Sequence, residues 1–537
     1  MIYRITAIIA MCTGLLLTSC KSESAKYSEA DVFRYNESAG ITSLDPAFAR
    51  SQSNIWAVNQ LFNGLVQLDS ALNVLPAIAK SWSITDHGTT YRFTLRDDVY
   101  FHYSHHFEDS TRRVVADDFV YSFVRLKSEE LASPGAWTMN AVDTLYAVSD
   151  SVFVIELKNA FPPFLGLLTM QYCSVVPREV VEAEGSQFGR KPVGTGPFYY
   201  KVWYENEKLV LRKNPLYFEF DNGERLPHLE SVAITFVPDK QTAFLEFIKG
   251  NLDFLSGIDA SYKDELLTPT GALNPKYEKD FRLLRQPYLN SEYLGFNQTL
   301  PSDHPLMNVK IRQAINLGFN RVEMMRYLRN NIGTPALNGF IPKGLRQPKD
   351  PEYGYEYNPK RAEELLREAG YFEAGAPEIT LSTNNSYVDL CEYIQGQLKQ
   401  IGMNIRVDVV PPSTLRQMMS SGKVEWFRGS WIADYPDQEN YMALFYSENH
   451  APNGPNYTRT TDDYLDSLYL KARSIVSDSA RRSLYFEMDR HVMNRAVIVP
   501  LYYDEVLRFI PNGLIGLEGN PMNLLTLKRV RKEGGGS

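Results

Sequence analysis

Apolar and polar positions alternate with a period of two along Thr90-Tyr91-Arg92-Phe93-Thr94-Leu95 and Leu209-Val210-Leu211-Arg212. They also alternate along the β-branched run Ser231-Val232-Ala233-Ile234-Thr235-Phe236. Each stretch predicts a half-buried strand. Elsewhere the spacing turns helical. Pro359 to Gly370 carries Asn358 as an N-cap, a proline in its first turn and a closing glycine, which together predict a helix with both ends marked. Ala116 to Phe123 predicts another, with Asp117 and Asp118 placed at the positive end of its dipole. Asp221-Asn222-Gly223 is a turn by composition. Strand and helix signals intermix without a break, so the class is α/β.

The first twenty residues follow another pattern. After Met1 and Arg4 come mostly apolar residues from Ala7 to Leu17, then Leu17-Thr18-Ser19-Cys20, a tetrapeptide that resembles a bacterial lipobox. So short a span does not cross roughly 30 Å of hydrocarbon as a mature helix, so residues 1–19 read as a cleaved lipoprotein signal peptide. Cys20 is then the lipidated first residue. Two or more acyl chains, at about 0.8 kcal/mol per buried CH2, give lasting attachment. The mature chain is expected outside the cytoplasm, membrane-anchored and facing the periplasm or the cell surface. Residues 20–31 are small and polar and read as a tether, with order expected from near Val32. Residues 534–537 (Gly-Gly-Gly-Ser) read as a flexible tail.

Composition narrows the function. With 44% hydrophobic residues in 537, the chain can bury a large core in two to four domains or subdomains. A net charge of −8 without a basic stripe argues against nucleic acid and for a solute or protein partner. Once Cys12 and Cys20 are set aside, Cys173 and Cys391 remain in apolar surroundings and read as two buried thiols. His102, His105 and His106 crowd a segment that also holds Glu108 and Asp109. No His-Glu-x-x-His helix or Cys pair frames them, so the segment reads as an exposed polar loop and not a metal site. There is no Gly-x-Ser-x-Gly elbow. Neither an enzyme nor a cofactor is expected.

A series of landmarks then appears in order: Ser43-Leu44-Asp45-Pro46, Leu61-Phe62-Asn63-Gly64-Leu65-Val66, Leu75 to Trp82, Val99-Tyr100-Phe101-His102, Val193-Gly194-Thr195-Gly196-Pro197-Phe198, Val309 to Ile315, Asn358 to Tyr371 and Gly429 to Asp437. Gly194-Thr195-Gly196-Pro197 alone is a tight turn whose glycines permit unusual dihedrals, and it lacks the Gly-Lys-Ser/Thr of a phosphate loop. Taken in register over about residues 32–530, the series resembles the extracytoplasmic solute-binding proteins of peptide and nickel ABC transporters.

The resemblance implies a two-lobed clamp with an extra subdomain on the first lobe. Lobe I would be 27–70, 196–290 and 500–533, its subdomain 71–195, and lobe II 291–499. It further implies a monomer that captures a short peptide between the lobes by hinge closure and delivers it to permease subunits. In oligopeptide-binding relatives the aspartate of a Trp-x-Ala-Asp run holds the peptide ammonium; Trp431, Ala433 and Asp434 match that run here. Arg428 matches an arginine that meets a ligand carboxylate, and Trp431 would wall a side-chain pocket. The resemblance also points to Tyr502, Tyr503 and Trp137 as ligand-binding positions at the cleft edge, though tyrosines there are equally ordinary core. From composition alone, Asp434-Tyr435-Pro436-Asp437 is equally a surface turn. One carboxylate-binding histidine of some relatives has no counterpart, because Asn384-Asn385-Ser386 leads to Tyr387; the arginine of dipeptide-binding relatives is also missing. Relatives of this fold also bind nickel chelates, haem, opines or sugars, and a secreted lipoprotein hydrolase or a signalling receptor are the other readings.

Overall fold

The three predicted strands form at Thr90–Leu95, Lys208–Lys213 and Ser231–Thr235. The computed structural model describes residues 32–259 and 261–533. The signal peptide 1–19, Cys20, the tether to residue 31 and the tail 534–537 lie outside the described residues. The helix Pro359–Glu368 is capped as its sequence demands: the Asn358 side chain accepts from the Arg361 amide, and Gly370 takes φ +72° just beyond the end. In the helix Ala116–Leu126, Asp118 Oδ2 accepts from the Val115 amide at 2.9 Å. Asn222 and Gly223, both at positive φ, turn a short hairpin.

The first lobe holds a four-stranded sheet in the order Val32–Asn36, Ser231–Thr235, Lys208–Lys213, Phe198–Tyr204, its first pair parallel and the others antiparallel. Beside it lies an antiparallel sheet in the order Ala79–Thr85, Thr90–Leu95, Val152–Leu157, Val142–Ser149. Phe119 and Phe123 of the helix Ala116–Leu126 pack on Phe153 of that second sheet, each with ring centroids 5.8 Å apart. One continuous apolar core joins both sheets. The second lobe has its own cores. There Trp426–Ile432 and Ile379–Thr383 run parallel, Ile405–Val409 pairs on the outside, and the helices Val388–Gln400 and Pro359–Glu368 contribute buried faces.

Two long antiparallel strands, Phe281–Phe296 and Ile498–Pro511, join the lobes. Residues 281–287 pair with 505–511, and 291–295 with 498–503, with the register broken between Pro287 and Ser291. In that gap the Leu289 peptide turns to other partners. Its N–H donates to the Pro521 carbonyl at 2.9 Å, while its carbonyl accepts from the Ala433 amide at 2.9 Å and from Tyr441 Oη at 2.8 Å. The segment around Pro521 is fastened to the first lobe, since Trp56 Nε1 and Gln60 Nε2 donate to the carbonyls of Asn523 and Leu525, both at 2.7 Å. A single buried peptide thus serves both lobes.

Two expectations need correction. Gly194 and Gly196 are not at positive φ; a Cβ on either would strike the backbone of Leu61 or Gln60, so glycine is required there by close approach. His102 is not exposed loop: it is 3% exposed and clasps that same turn. The Gly194 amide donates to its Nδ1 at 3.2 Å, which leaves the proton on Nε2 to reach the Gly196 carbonyl at 3.0 Å. Burial pushes this imidazole down to about 4. Cys173 and Cys391 are free buried thiols, pushed up by burial to about 12 and about 11. Among the described residues, no helix is long and apolar enough to cross a membrane.

Candidate ligand-binding cleft

The register of the central sheet decides which site residues can meet. Trp426–Ile432 pairs with the first long strand so that Arg428 lies opposite Leu294, Ser430 opposite Glu292, and Trp431 opposite Ser291. The second long strand places Tyr502 opposite Glu292 and Tyr503 opposite Ser291. Side chains alternate across a sheet, so Arg428 and Tyr502 share one face with Glu292, whereas Trp431 and Tyr503 take the other. Tyr503 turns into the second lobe, where its Oη donates to the Gly339 carbonyl at 2.8 Å. The sequence-based set is thereby split in two.

Around Trp431 the chain leaves the sheet. Ala433 is buried and tied by its amide to Leu289. Asn440 Oδ1 accepts both from Trp431 Nε1 at 2.9 Å and from the Asp434 amide at 3.3 Å, which ties the indole ring to the backbone that carries Asp434. Water reaches the Asp434 side chain, yet protein flanks it closely enough that desolvation pushes its carboxyl up to about 6, with Asn440 pulling the other way. The opposing wall comes from the first lobe. Tyr172 lies 8% exposed with its ring against Gly135, and its phenol is pushed up to about 12 by burial, opposed by Arg50 and reinforced by Asp434. Tyr435 inserts into the first lobe's core, its ring 6.5 Å from Trp137 and 6.3 Å from Phe161. Trp137 remains 37% exposed beside it. A cavity of about 970 Å³ opens next to this junction, between Leu72 and Asn73 on one side and Arg346, Asp437 and Arg482 on the other.

The other face carries a buried charge cluster. Arg428 pairs with Glu292 through Nη2 and stacks on the ring of Tyr387, the residue that follows Asn384-Asn385-Ser386. Asn290 Nδ2 donates to Glu292 Oε1 at 3.0 Å and to Asp504 Oδ2 at 3.1 Å. Arg329 reaches Asp389 at 3.0 Å. Burial holds both Glu292 and Asp504 above the usual carboxylate range, with the Arg428 cation opposing the rise at Glu292. The Arg428 guanidinium therefore already has an internal carboxylate, and its Nε has no partner. Sequence reasoning missed Glu292, Tyr387 and Asn440. The signal for Glu292 was a lone carboxylate inside Leu289–Phe296, a stretch buried throughout; Asn440 left none.

Comparison with known proteins places this architecture. The chain is 25% identical over 494 residues to a probable di/tripeptide-binding protein 5 of Pseudomonas aeruginosa, covering 88% of this chain and 89% of the relative. It is 26% identical over 523 residues to heme-binding protein A of Haemophilus influenzae, covering 92% of each. Among solved structures, HbpA2 of Haemophilus parasuis superposes with a TM-score of 0.81 at 23% identity, covering 94% of this chain and all of the other, which shows a shared two-lobed fold. The family model of bacterial extracellular solute-binding proteins, family 5, matches residues 73–453. That span is well over half of the chain, and with the two-lobed architecture around Asp434 it makes this protein a member of the family 5 bacterial extracellular solute-binding proteins.

Proposed function

We propose that the protein is the solute-binding component of an ABC importer, capturing short peptides between its lobes by hinge closure and passing them to permease subunits. The observation that carries this reading is Asp434, a carboxylate set at the lobe junction beside an aromatic wall, with no cation paired to it among the described residues. A peptide ammonium supplies one. Trp431, Trp137 and Tyr172 offer flat contact surface for side chains of varied sequence, and Ala433 and its neighbours offer backbone groups; Arg428 would meet a ligand carboxylate only by giving up Glu292. The di/tripeptide name of the Pseudomonas relative supports the substrate class. In this reading Cys20 carries the lipid that holds the protein, as a monomer, at the membrane, and lobe I, its subdomain and lobe II follow the boundaries set out above.

The test joins composition and affinity. Native mass spectrometry of the chain from Lys21 onward should reveal copurifying peptides of a preferred length. Asp434→Ala should lower peptide affinity by about 30-fold or more, roughly 2 kcal/mol. Peptide affinity unchanged in that variant would remove Asp434 from the site. A copurifying haem, metal chelate or glycan would keep the fold and overturn the substrate class.

A further inference from the structure

The loop between Thr90–Leu95 and Ala116–Leu126 carries a set of donor atoms that shares no residue with the Asp434 anchor. His105 and His106 are consecutive, and in an extended chain their side chains would diverge to opposite sides. A turn at these two residues instead brings their rings to 3.9 Å between centroids. Glu184, which ends the helix Arg178–Glu184, lies with Oε1 3.0 Å from His106 Nε2. One donor atom from each of the three residues falls within 4.8 Å of the other two. Tetrahedral zinc with bonds of about 2.0–2.2 Å holds its ligand atoms roughly 3.3–3.6 Å apart, so small side-chain rotations close the gap.

The frame around these donors is already rigid. Phe107, next to the pair, is buried at 7% exposure. The loop is cross-tied from the Ser104 amide to the Ser110 carbonyl at 2.8 Å and from Thr111 Oγ1 to the Phe101 carbonyl at 2.6 Å. Arg112 then binds loop to helix: it reaches Glu179 at 2.7 and 2.8 Å and Asp118 at 2.7 and 2.8 Å, and stacks over Phe101 and Phe107. Glu179 and Glu184 share one helix, so the clamp that fixes the first also places the second. A single His–Glu ion pair would need neither the second imidazole nor the turn that delivers it.

We infer that His105, His106 and Glu184 form a binding site for a first-row divalent transition metal, separate from the peptide cleft. Two imidazoles and one carboxylate suit Zn2+, Ni2+ or Cu2+ better than the oxygen-seeking Mg2+ or Ca2+. The exposed His105 leaves the remaining coordination positions to water.

The experiment is isothermal titration of Zn2+ into the mature chain after stripping with chelator. One Zn2+ per chain should bind with micromolar or tighter affinity. His106→Ala and Glu184→Gln should each weaken it at least tenfold, and the double variant H105A/H106A should abolish it, while circular dichroism stays unchanged. His87→Ala, away from the cluster, should bind as the parent does. Asp434→Ala should also leave Zn2+ uptake intact, which separates this site from the cleft: failure of one reading leaves the other standing. No saturable uptake, or uptake that survives the H105A/H106A change, would overturn the inference.

Discussion

A carboxyl pushed up to about 6 by desolvation is mostly protonated at pH 5 and mostly charged at pH 7. An ammonium ligand needs the charged form of Asp434. Peptide affinity should therefore rise roughly tenfold from pH 5 to pH 7 and level off above it, and binding should release protons near pH 6, where the arriving cation pulls the carboxyl down. Asp434→Asn should bind weakly with no such slope; calorimetry in buffers of different ionisation enthalpy reads both. The effect on stability of the empty protein has the opposite sign. A raised carboxyl favours the folded state at low pH, and that contribution disappears as pH climbs through about 6. Asp434 was open to proposal from sequence alone, because the Trp-x-Ala-Asp run is local. Glu292 was not, since it meets Arg428 across 136 residues of chain, and only the sheet register puts them on one face.

Among the elements, those with complete local signals were readable: the helix Pro359–Glu368 announces its cap, its proline and its glycine within a dozen residues. Elements held by distant partners were opaque. The strap Gly339–Ile341 is one, with no periodicity to mark it. It is positioned by Asp489, fully buried in the helix Asp478–Asn494, whose carboxylate accepts from the amides of Phe340 at 2.9 Å and Ile341 at 3.3 Å and from Tyr353 Oη at 2.8 Å. Phe340 in turn packs edge-on against Tyr293, Tyr441 and Phe445, the apolar body behind the Trp431 face. Asp489→Ala would orphan three donors at once and should cost about 3 kcal/mol or more. A lowered urea midpoint at unchanged slope would show it, and Asp489→Asn, which keeps one acceptor, should lose less.

At the scale of the molecule, the lobes meet through aromatic packing. Tyr435 belongs to the second lobe by chain but to the first by contact, and Arg473 lies over Phe161 at 5.1 Å to reinforce the seam. Tyr435→Ala should free the lobes, which small-angle scattering would report as a larger radius of gyration, together with weaker peptide binding; Tyr435→Phe, which keeps the ring, should stay compact. Sequence landmarks gave the two-lobed plan because they span nearly the whole chain, yet they carried nothing about this seam, which no local pattern encodes. The Leu289 peptide adds a mechanical consequence. In the hinge closure proposed above it would serve as a fulcrum, gripped from one lobe by Pro521 and from the other by Ala433, and Asp434 directly follows Ala433 in the chain. Displacement in a rotating body grows with distance from its axis, so a ligand pulling on Asp434 acts on a short lever arm. Travel at the anchor is then small while the far rims swing widely, and a slight change of fit at the charged end becomes a large change in gape at the mouth.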